Sequence, residues 1–341
     1  MLYLTFRALA RYTQPLELRV PASVLQQRKM TFIRDPDKFS LGGRKSVVTI
    51  GSFDGVHLGH QAILEQVIGK ANELKATSVA MTFEPQPQEY FSAEKAPARL
   101  MRLRDKIEAL MELGVDQVVC LQFNSKLRNY TAEQFVTSLL VKGLGVKQLI
   151  VGDDFRFGCD RSGNFDMLVE MGRVLDFNVQ DTQTIEVDGE RVSSTLIRRV
   201  LEQADFSRAR QLLGRAFAIK GRVFYVQQLG RTLGFPTANI QLNRYRAPLS
   251  GVYAVRVEID GLSGKFQGAA NVGVRPTVGD LLKPILEVHL LDFDKDIYGK
   301  RINVEFLHKV RDEQKFTTMD NLVTYIQQDV KKVKQWFAEK N

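Results

Sequence analysis

Near Gly214 the texture of this 341-residue chain changes, and the two textures on either side cannot belong to one kind of sheet. From Ser46 to about Leu201, short β-branched runs alternate with helical periodicity. Ser46–Ile50 is strand-like. Gln61–Leu74 carries Ile63, Leu64, Val67, Ile68 and Ala71 on helical spacing. Ser78–Phe83, Gln117–Leu121 and Lys147–Val151 read as further strands, Leu100–Leu113 as a helix, and Thr131 with Gln134 as a capping box. Such alternation predicts a parallel sheet with helices on both faces.

Beyond Gly214 the strand-like runs follow one another without helices: Ala216–Phe224, Val252–Ile259, Phe266–Val272, Ile285–Leu291 and Ile302–Val310. Gly and Pro turns separate them, which predicts a small antiparallel barrel. A last helix spans Met319–Ala338. Its stripe of Leu322, Tyr325, Ile326, Val330, Val333, Trp336 and Phe337 is expected to be core packing and not a ligand-binding face.

Composition narrows the function classes only a little. A net charge of +9 suits nucleic acid, an anionic membrane or a polyphosphate ligand, or is simply a soluble basic surface. No apolar run approaches the ~20 residues that span a bilayer. Cys120 and Cys159 form no Cys-x-x-Cys pair, so neither a zinc site nor a disulfide framework is indicated. The first 29 residues hold five basic residues and one acid, Glu17. They read as a transit segment, as an extension without function, or as a start placed ahead of the true one at Met30.

Two constellations carry chemistry. The first runs from Gly51 to His60, directly after a strand and into a helix. A helix start offers unpaired N–H groups and partial positive charge to phosphate. His57 and His60, three apart, face one way and can donate to oxygens whose charge grows in a transition state. The same pair could be structural, or half of a metal site completed by Asp54. Ser193-Ser194-Thr195 by itself reads as a helix cap. The second constellation is the loop Gly230 to Asn239, which alone says only loop, and Glu287 alone reads as an exposed strand residue. No Gly-x-x-x-x-Gly-Lys-Ser/Thr is present, and Asp292, Asp294 and Asp296 lack the glycine and glutamate of a calcium loop.

Taken in order, these segments resemble the bacterial bifunctional riboflavin kinase/FAD synthetase family. His57-Leu58-Gly59-His60 is similar to its nucleotidylyltransferase signature. Thr82 to Pro87, Gly152 to Gly158 and Ser193 to Arg198 are similar to its further nucleotide-site segments. Pro236-Thr237-Ala238-Asn239 is similar to the riboflavin kinase mark, followed by Gly251-Val252-Tyr253, Asn271 to Thr277, Glu287 to Phe293, Tyr298-Gly299 and Arg311 to Phe316.

The resemblance implies a Rossmann-like nucleotidylyltransferase α/β domain at 44–205, which makes FAD from FMN. It implies a Greek-key β-barrel with a C-terminal helix at 206–341, which makes FMN from riboflavin, after an extension at 1–43. Implied nucleotide- and phosphate-binding residues are Gly51, Phe53, Asp54, Gly55, Gly59, Asp153, Ser193, Ser194, Thr195 and Arg198, and in the second domain Gly230, Gly234, Thr237 and Asn239. His57 and His60 would be catalytic in the first domain and Glu287 the general base in the second. Thr237 would ligate Mg²⁺ with ATP. The implied ligands are ATP, riboflavin, FMN and FAD, with no nucleic acid or membrane partner, a cytoplasmic location and a monomeric state. Two rivals predict other features: a class I aminoacyl-tRNA ligase relative needs a Lys-Met-Ser-Lys-Ser-like loop, and an RNA-binding protein needs aromatics clustered among positive charges.

Overall fold

The computed structural model describes residues 29–225, 234–242, 244–276 and 282–340. The Gly230 end of the second loop lies outside them, as do residues 1–28 and Thr277. By contact the chain divides into two units, Met1–Ala96 with Leu103–Ser193, and Pro97–Arg102 with Ser194–Asn341.

The first unit is built on six parallel strands: β1 (Lys29–Ile33), β2 (Ser46–Ile50), β3 (Thr77–Glu84), β4 (Gln117–Gln122), β5 (Val146–Val151) and β6 (Asn178–Asp181). Their order is β1-β4-β3-β2-β5-β6. β2 is buried along its whole length because it lies between β3 and β5 and is covered on both faces. Its alternate residues serve two cores. Val47 packs with Ile150 against Val67 and Ala71 of helix α1 (Leu58–Leu74). Val48 and Ile50 join Val79, Met81, Val119 and Leu121 in the larger cluster on the other face. Burying one such side chain stabilises by roughly 1.5–3 kcal/mol.

Short helices α2 (Pro87–Phe91) and α3 (Leu103–Glu112) follow β3, and α4 (Ser125–Arg128) and α5 (Ala132–Gln134) follow β4. The expected capping box of Thr131 and Gln134 is present, but the helix it opens continues as a π-helix over Phe135–Gly143. Helix α6 (Phe165–Leu175) precedes β6, and a hairpin of β7 (Glu186–Val187) and β8 (Glu190–Arg191) closes the unit. The expected extension over 1–43 needs a correction at its end. Residues 29–33 form β1, which pairs with Gln117 to Leu121 of β4 and adds an edge to the sheet. The β-rich run Met30-Thr31-Phe32-Ile33 explains this.

In the second unit, α7 (Ser194–Glu202) and α8 (Phe206–Leu213) lead to six antiparallel strands: β9 (Ala218–Arg222), β10 (Ala238–Gln241), β11 (Gly251–Ile259), β12 (Phe266–Pro276), β13 (Leu282–Leu290) and β14 (Arg301–Arg311). Their order is β10-β13-β12-β11-β14-β9. A bridge between Phe224 and Asn239 nearly closes the barrel. The seam is tight: a Cβ on Gly221 would lie 2.1 Å from Ile240 Cγ2. Helix α9 (Met319–Lys340) seats Val333 and Phe337 against Ala254 and Leu291. The Arg311 guanidinium forks onto the buried Asp329 carboxylate of α9, with Nη2 to Oδ2 at 2.7 Å.

The stripe on α9 is only half core, which corrects the sequence expectation. Leu322, Ile326 and Val330 are half-buried because they line a cavity, and Tyr325 is exposed.

Candidate active sites

In the first unit the sheet order reverses between β2 and β5, and ligands of open α/β sheets bind beyond the strand ends at such a switch point. β2 ends at Ile50 and feeds Gly51 to His60; β5 ends at Val151 and feeds Gly152-Asp153. The two loops expected to bind nucleotide therefore leave neighbouring strands at the same edge.

The loop after β2 is held in an uncommon backbone shape. Phe53 has φ 46° and Val56 φ 40°, left-handed values that a β-branched residue such as Val56 rarely adopts. Both are buried, so packing sustains the strain. His57 is the N-cap of α1, its Nδ1 accepting from the His60 N–H at 3.3 Å. That bond requires an unprotonated Nδ1, so the neutral ring carries its proton on Nε2 and presents a donor there. The His60 ring stacks on His57, centroids 3.6 Å apart, and Phe53 meets His60 edge-on at 5.3 Å. Phe53 thus sits beneath the histidines as a packing residue, and Asp54 is fully buried beside it in sequence. Gly55 takes φ 86°, and a Cβ on Gly59 would meet the His57 ring at 3.2 Å and the Val192 carbonyl at 3.4 Å. Ser193 follows Val192 directly. Asp153 is exposed at the β5 edge. Ser194, Thr195 and Arg198 open α7 and group with the second unit, where Arg198 Nε donates to the Ala98 carbonyl at 2.6 Å.

A feature absent from the sequence reading stands at the same sheet edge. Tyr90 and Phe91 of α2 are exposed and meet Phe123, just past β4, at 5.2 and 5.8 Å, while Arg128 lies over the Phe91 ring. Two adjacent exposed aromatics on a five-residue helix were the available signal.

In the second unit the candidate residues Asn239, Asn271 and Glu287 lie on strands. Glu287 of β13 stands opposite Asn239 of β10 on one side and Asn271 of β12 on the other. Asn271 Nδ2 donates to Glu287 Oε2 at 3.4 Å, and Asn239 Nδ2 donates to the Thr237 carbonyl at 3.1 Å and to its Oγ1 at 3.3 Å. Two cavities adjoin this row. One of about 400 Å³ is lined by Thr237, Leu290, Asp294, Lys295 and the stacked pair Tyr225 and Tyr298. The other, of about 240 Å³, is lined by Glu287, Asn271, His289, Phe316, Leu322 and Ile326. Thr237 lines both. Gly234, in the left-handed region at φ 85°, sits just ahead of it.

A metal fits this corner by its donors. Among the described residues no cluster of three His, Cys, Asp or Glu could hold an ion. Asn239 Oδ1, however, is buried without a hydrogen-bond partner among those residues, close to the Thr237 oxygens. An oxygen-only set with few protein ligands is what Mg²⁺ accepts when phosphates and waters complete its shell.

Comparison with known proteins agrees with both halves. The FAD synthetase family profile matches residues 42–196 and the riboflavin kinase profile residues 213–337. A bifunctional riboflavin kinase/FMN adenylyltransferase of Pseudomonas fluorescens is 54% identical over 287 residues, covering 84% of this chain and 91% of that protein. The Haemophilus influenzae protein of the same name is 47% identical, covering 85% and 94%. A crystal structure titled as a macrolide-efflux protein from Streptococcus pneumoniae superposes with a TM-score of 0.71 at 29% identity, covering 90% of this chain and 99% of that one. No helix among the described residues of this chain is long and apolar enough to cross a membrane.

Proposed function

The chain belongs to the bifunctional riboflavin kinase/FMN adenylyltransferase family, and from that premise we propose how its two sites divide the work. It phosphorylates riboflavin to FMN with ATP and adenylylates FMN to FAD with ATP, releasing pyrophosphate. The adenylyltransferase activity belongs to residues 44–205 and the kinase activity to residues 206–341.

In the adenylyltransferase, ATP phosphates lie at the start of α1, against the loop Gly51 to Gly59, with Asp153 and Ser193 of the same unit; Ser194, Thr195 and Arg198 are the further expected nucleotide-binding residues. The FMN phosphate attacks the α-phosphorus directly, with no covalent enzyme intermediate. His57 and His60 donate to the phosphate oxygens as charge develops. The cap bond that places the His57 proton on Nε2 supports this reading. The exposed rings of Tyr90 and Phe91, backed by the half-buried Phe123, take the flat isoalloxazine at the same edge.

In the kinase, the nucleotide occupies the cavity between Tyr225, Tyr298 and Thr237, and riboflavin the more apolar one beside Leu322 and Ile326. Glu287 takes the proton of the ribityl hydroxyl as it attacks the γ-phosphorus. Thr237 and Asn239 hold the phosphate end, with Gly230 and Gly234 as further nucleotide-binding residues. Thr237 Oγ1 and Asn239 Oδ1 would hold Mg²⁺, which neutralises phosphate charge when bound. The observation that carries the reading is the position of Thr237 between two cavities, one of which contains Glu287.

Substrates are small molecules, with no nucleic-acid or membrane partner, and the protein acts as a cytoplasmic monomer. The two free thiols, Cys120 and Cys159, support the reducing compartment. The decisive experiment incubates purified protein with riboflavin, ATP and Mg²⁺ and follows FMN and FAD by chromatography. Appearance of FMN and then FAD is expected; failure to form either with the intact chain refutes the reading.

A further inference from the structure

His289 is used by no step above, yet it stands at the partition between the two kinase cavities. It lies two residues from Glu287 on β13 and so shares its face. Ala238 and Val288 are the last residue pair of the β10–β13 ladder; Thr237 directly precedes Ala238, and His289 directly follows Val288. His289 is half-buried and lines the cavity that contains Glu287, whereas Pro236 lines the other. Its Nδ1 lies 2.9 Å from the Pro236 carbonyl. A carbonyl only accepts, so Nδ1 carries the proton and donates. The ring also meets Phe235 edge-on, centroids 5.5 Å apart. One side chain thus grips both residues ahead of Thr237.

We propose that His289 is a positioning residue of the kinase, whose Nδ1–H to Pro236 bond ties the loop end bearing Thr237 to the strand bearing Glu287. The loop from Gly234 to Thr237 precedes β10 and has no ladder of its own to hold it. Proline supplies no N–H there. Without the bond, Thr237 and Glu287 lose their fixed separation, and a small displacement between a phosphate-binding oxygen and the base costs rate. This proposal rests on the assignment of Thr237 and Glu287 to the kinase site.

The test compares His289→Ala, His289→Asn and His289→Gln in the full-length protein. Asn places its Nδ2–H the same number of bonds from Cα as histidine Nδ1, and Gln places its amide one bond further. In His289→Ala, riboflavin kinase kcat and the affinity for Mg²⁺·ADP by calorimetry should each fall roughly 10- to 100-fold, the range for partners that orient ligating groups. FMN adenylylation by the same sample should be unchanged, which excludes unfolding. His289→Asn should restore most of both quantities and His289→Gln should not. Unchanged kinetics and affinity in His289→Ala, or equal behaviour of Asn and Gln, overturns the proposal. Thr237→Ala run in parallel separates the two readings: if it retains full kinase activity, the site assignment fails, and if it is inactive while His289→Ala is normal, only the role of His289 fails.

Discussion

The two candidate sites solve phosphate chemistry by different construction. In the parallel-sheet unit the two histidines sit in one loop, at a strand end and a helix start, and Gly51 to His60 are contiguous. In the barrel they sit on the faces of three strands, so that Asn239, Asn271 and Glu287 become neighbours only through strand pairing. On the proposed reading, the first arrangement would use backbone N–H groups that any sequence offers at a helix start, tuned by two imidazoles. The second has no helix start and depends on side chains placed by register. A loop-borne site tolerates changes in the sheet beneath it, whereas a strand-borne site fails if register slips by one residue.

Removing the base should give the largest effect. Glu287→Gln should lower riboflavin phosphorylation on the order of 100- to 10,000-fold, the usual worth of general-base catalysis. Supplied FMN should still become FAD, and equal loss of both reactions would mean one shared site. Arg311→Met should follow. It strands the buried Asp329 carboxylate, a loss of about 3–5 kcal/mol for a buried pair. Thermal inactivation assays should show the kinase lost at a temperature where adenylylation persists. A common inactivation temperature would show that the two units unfold together.

Changes to the loop-borne site come next. His57→Ala or His60→Ala should cost about 2.7–4 kcal/mol in the adenylylation step, or 100- to 1000-fold in rate, with little change in FMN affinity. Riboflavin should then accumulate as FMN. His57→Asn keeps an N-cap acceptor without the imidazole. If it recovers the rate, His57 acts only through the helix.

The smallest effect lies away from both sites. Lys126 hydrogen bonds hold the Asp35 and Asp37 carboxyls below the usual carboxylate range, Asp37 also accepting from Tyr130. Groups with depressed folded-state values stabilise above their unfolded value of 3.8, and that stability is lost as pH falls through the folded values. Melting curves of Lys126→Met and the parent protein should therefore differ slightly at neutral pH and converge in acid. A constant difference down to the lowest pH would show that these carboxyls do not titrate with folding.

The same contrast governs what could be read from residues alone. The buried central strands were legible as β-branched runs, and the His57 loop as a contiguous motif after one of them. β1 was not, because it lies in a stretch whose acid-poor beginning reads as an extension. Nor were the cavities, since their walls combine Thr237, Glu287 and Ile326 from separate elements. The stripe of α9 misled for a related reason: helical periodicity reports that a face is apolar, not whether protein or ligand covers it. The aromatic surface of Tyr90, Phe91 and Phe123 joins two strand ends that are far apart in sequence.

Pro97–Arg102 has a consequence for how the protein is made. This segment groups with the barrel unit: Arg102 Nη2 donates to the Gln241 carbonyl at 2.7 Å, and the Arg99 carbonyl accepts from Arg244 across 145 positions of sequence. A ribosome adding ~5–20 residues each second needs roughly 7–30 s to cover that interval. Over that interval partners of the segment are made in turn, Arg198 for the Ala98 carbonyl and Arg215 for Met101 before Gln241 and Arg244. These last contacts form only late, so the barrel unit is completed with a strip of chain made when three of the six strands of the parallel sheet were already synthesised.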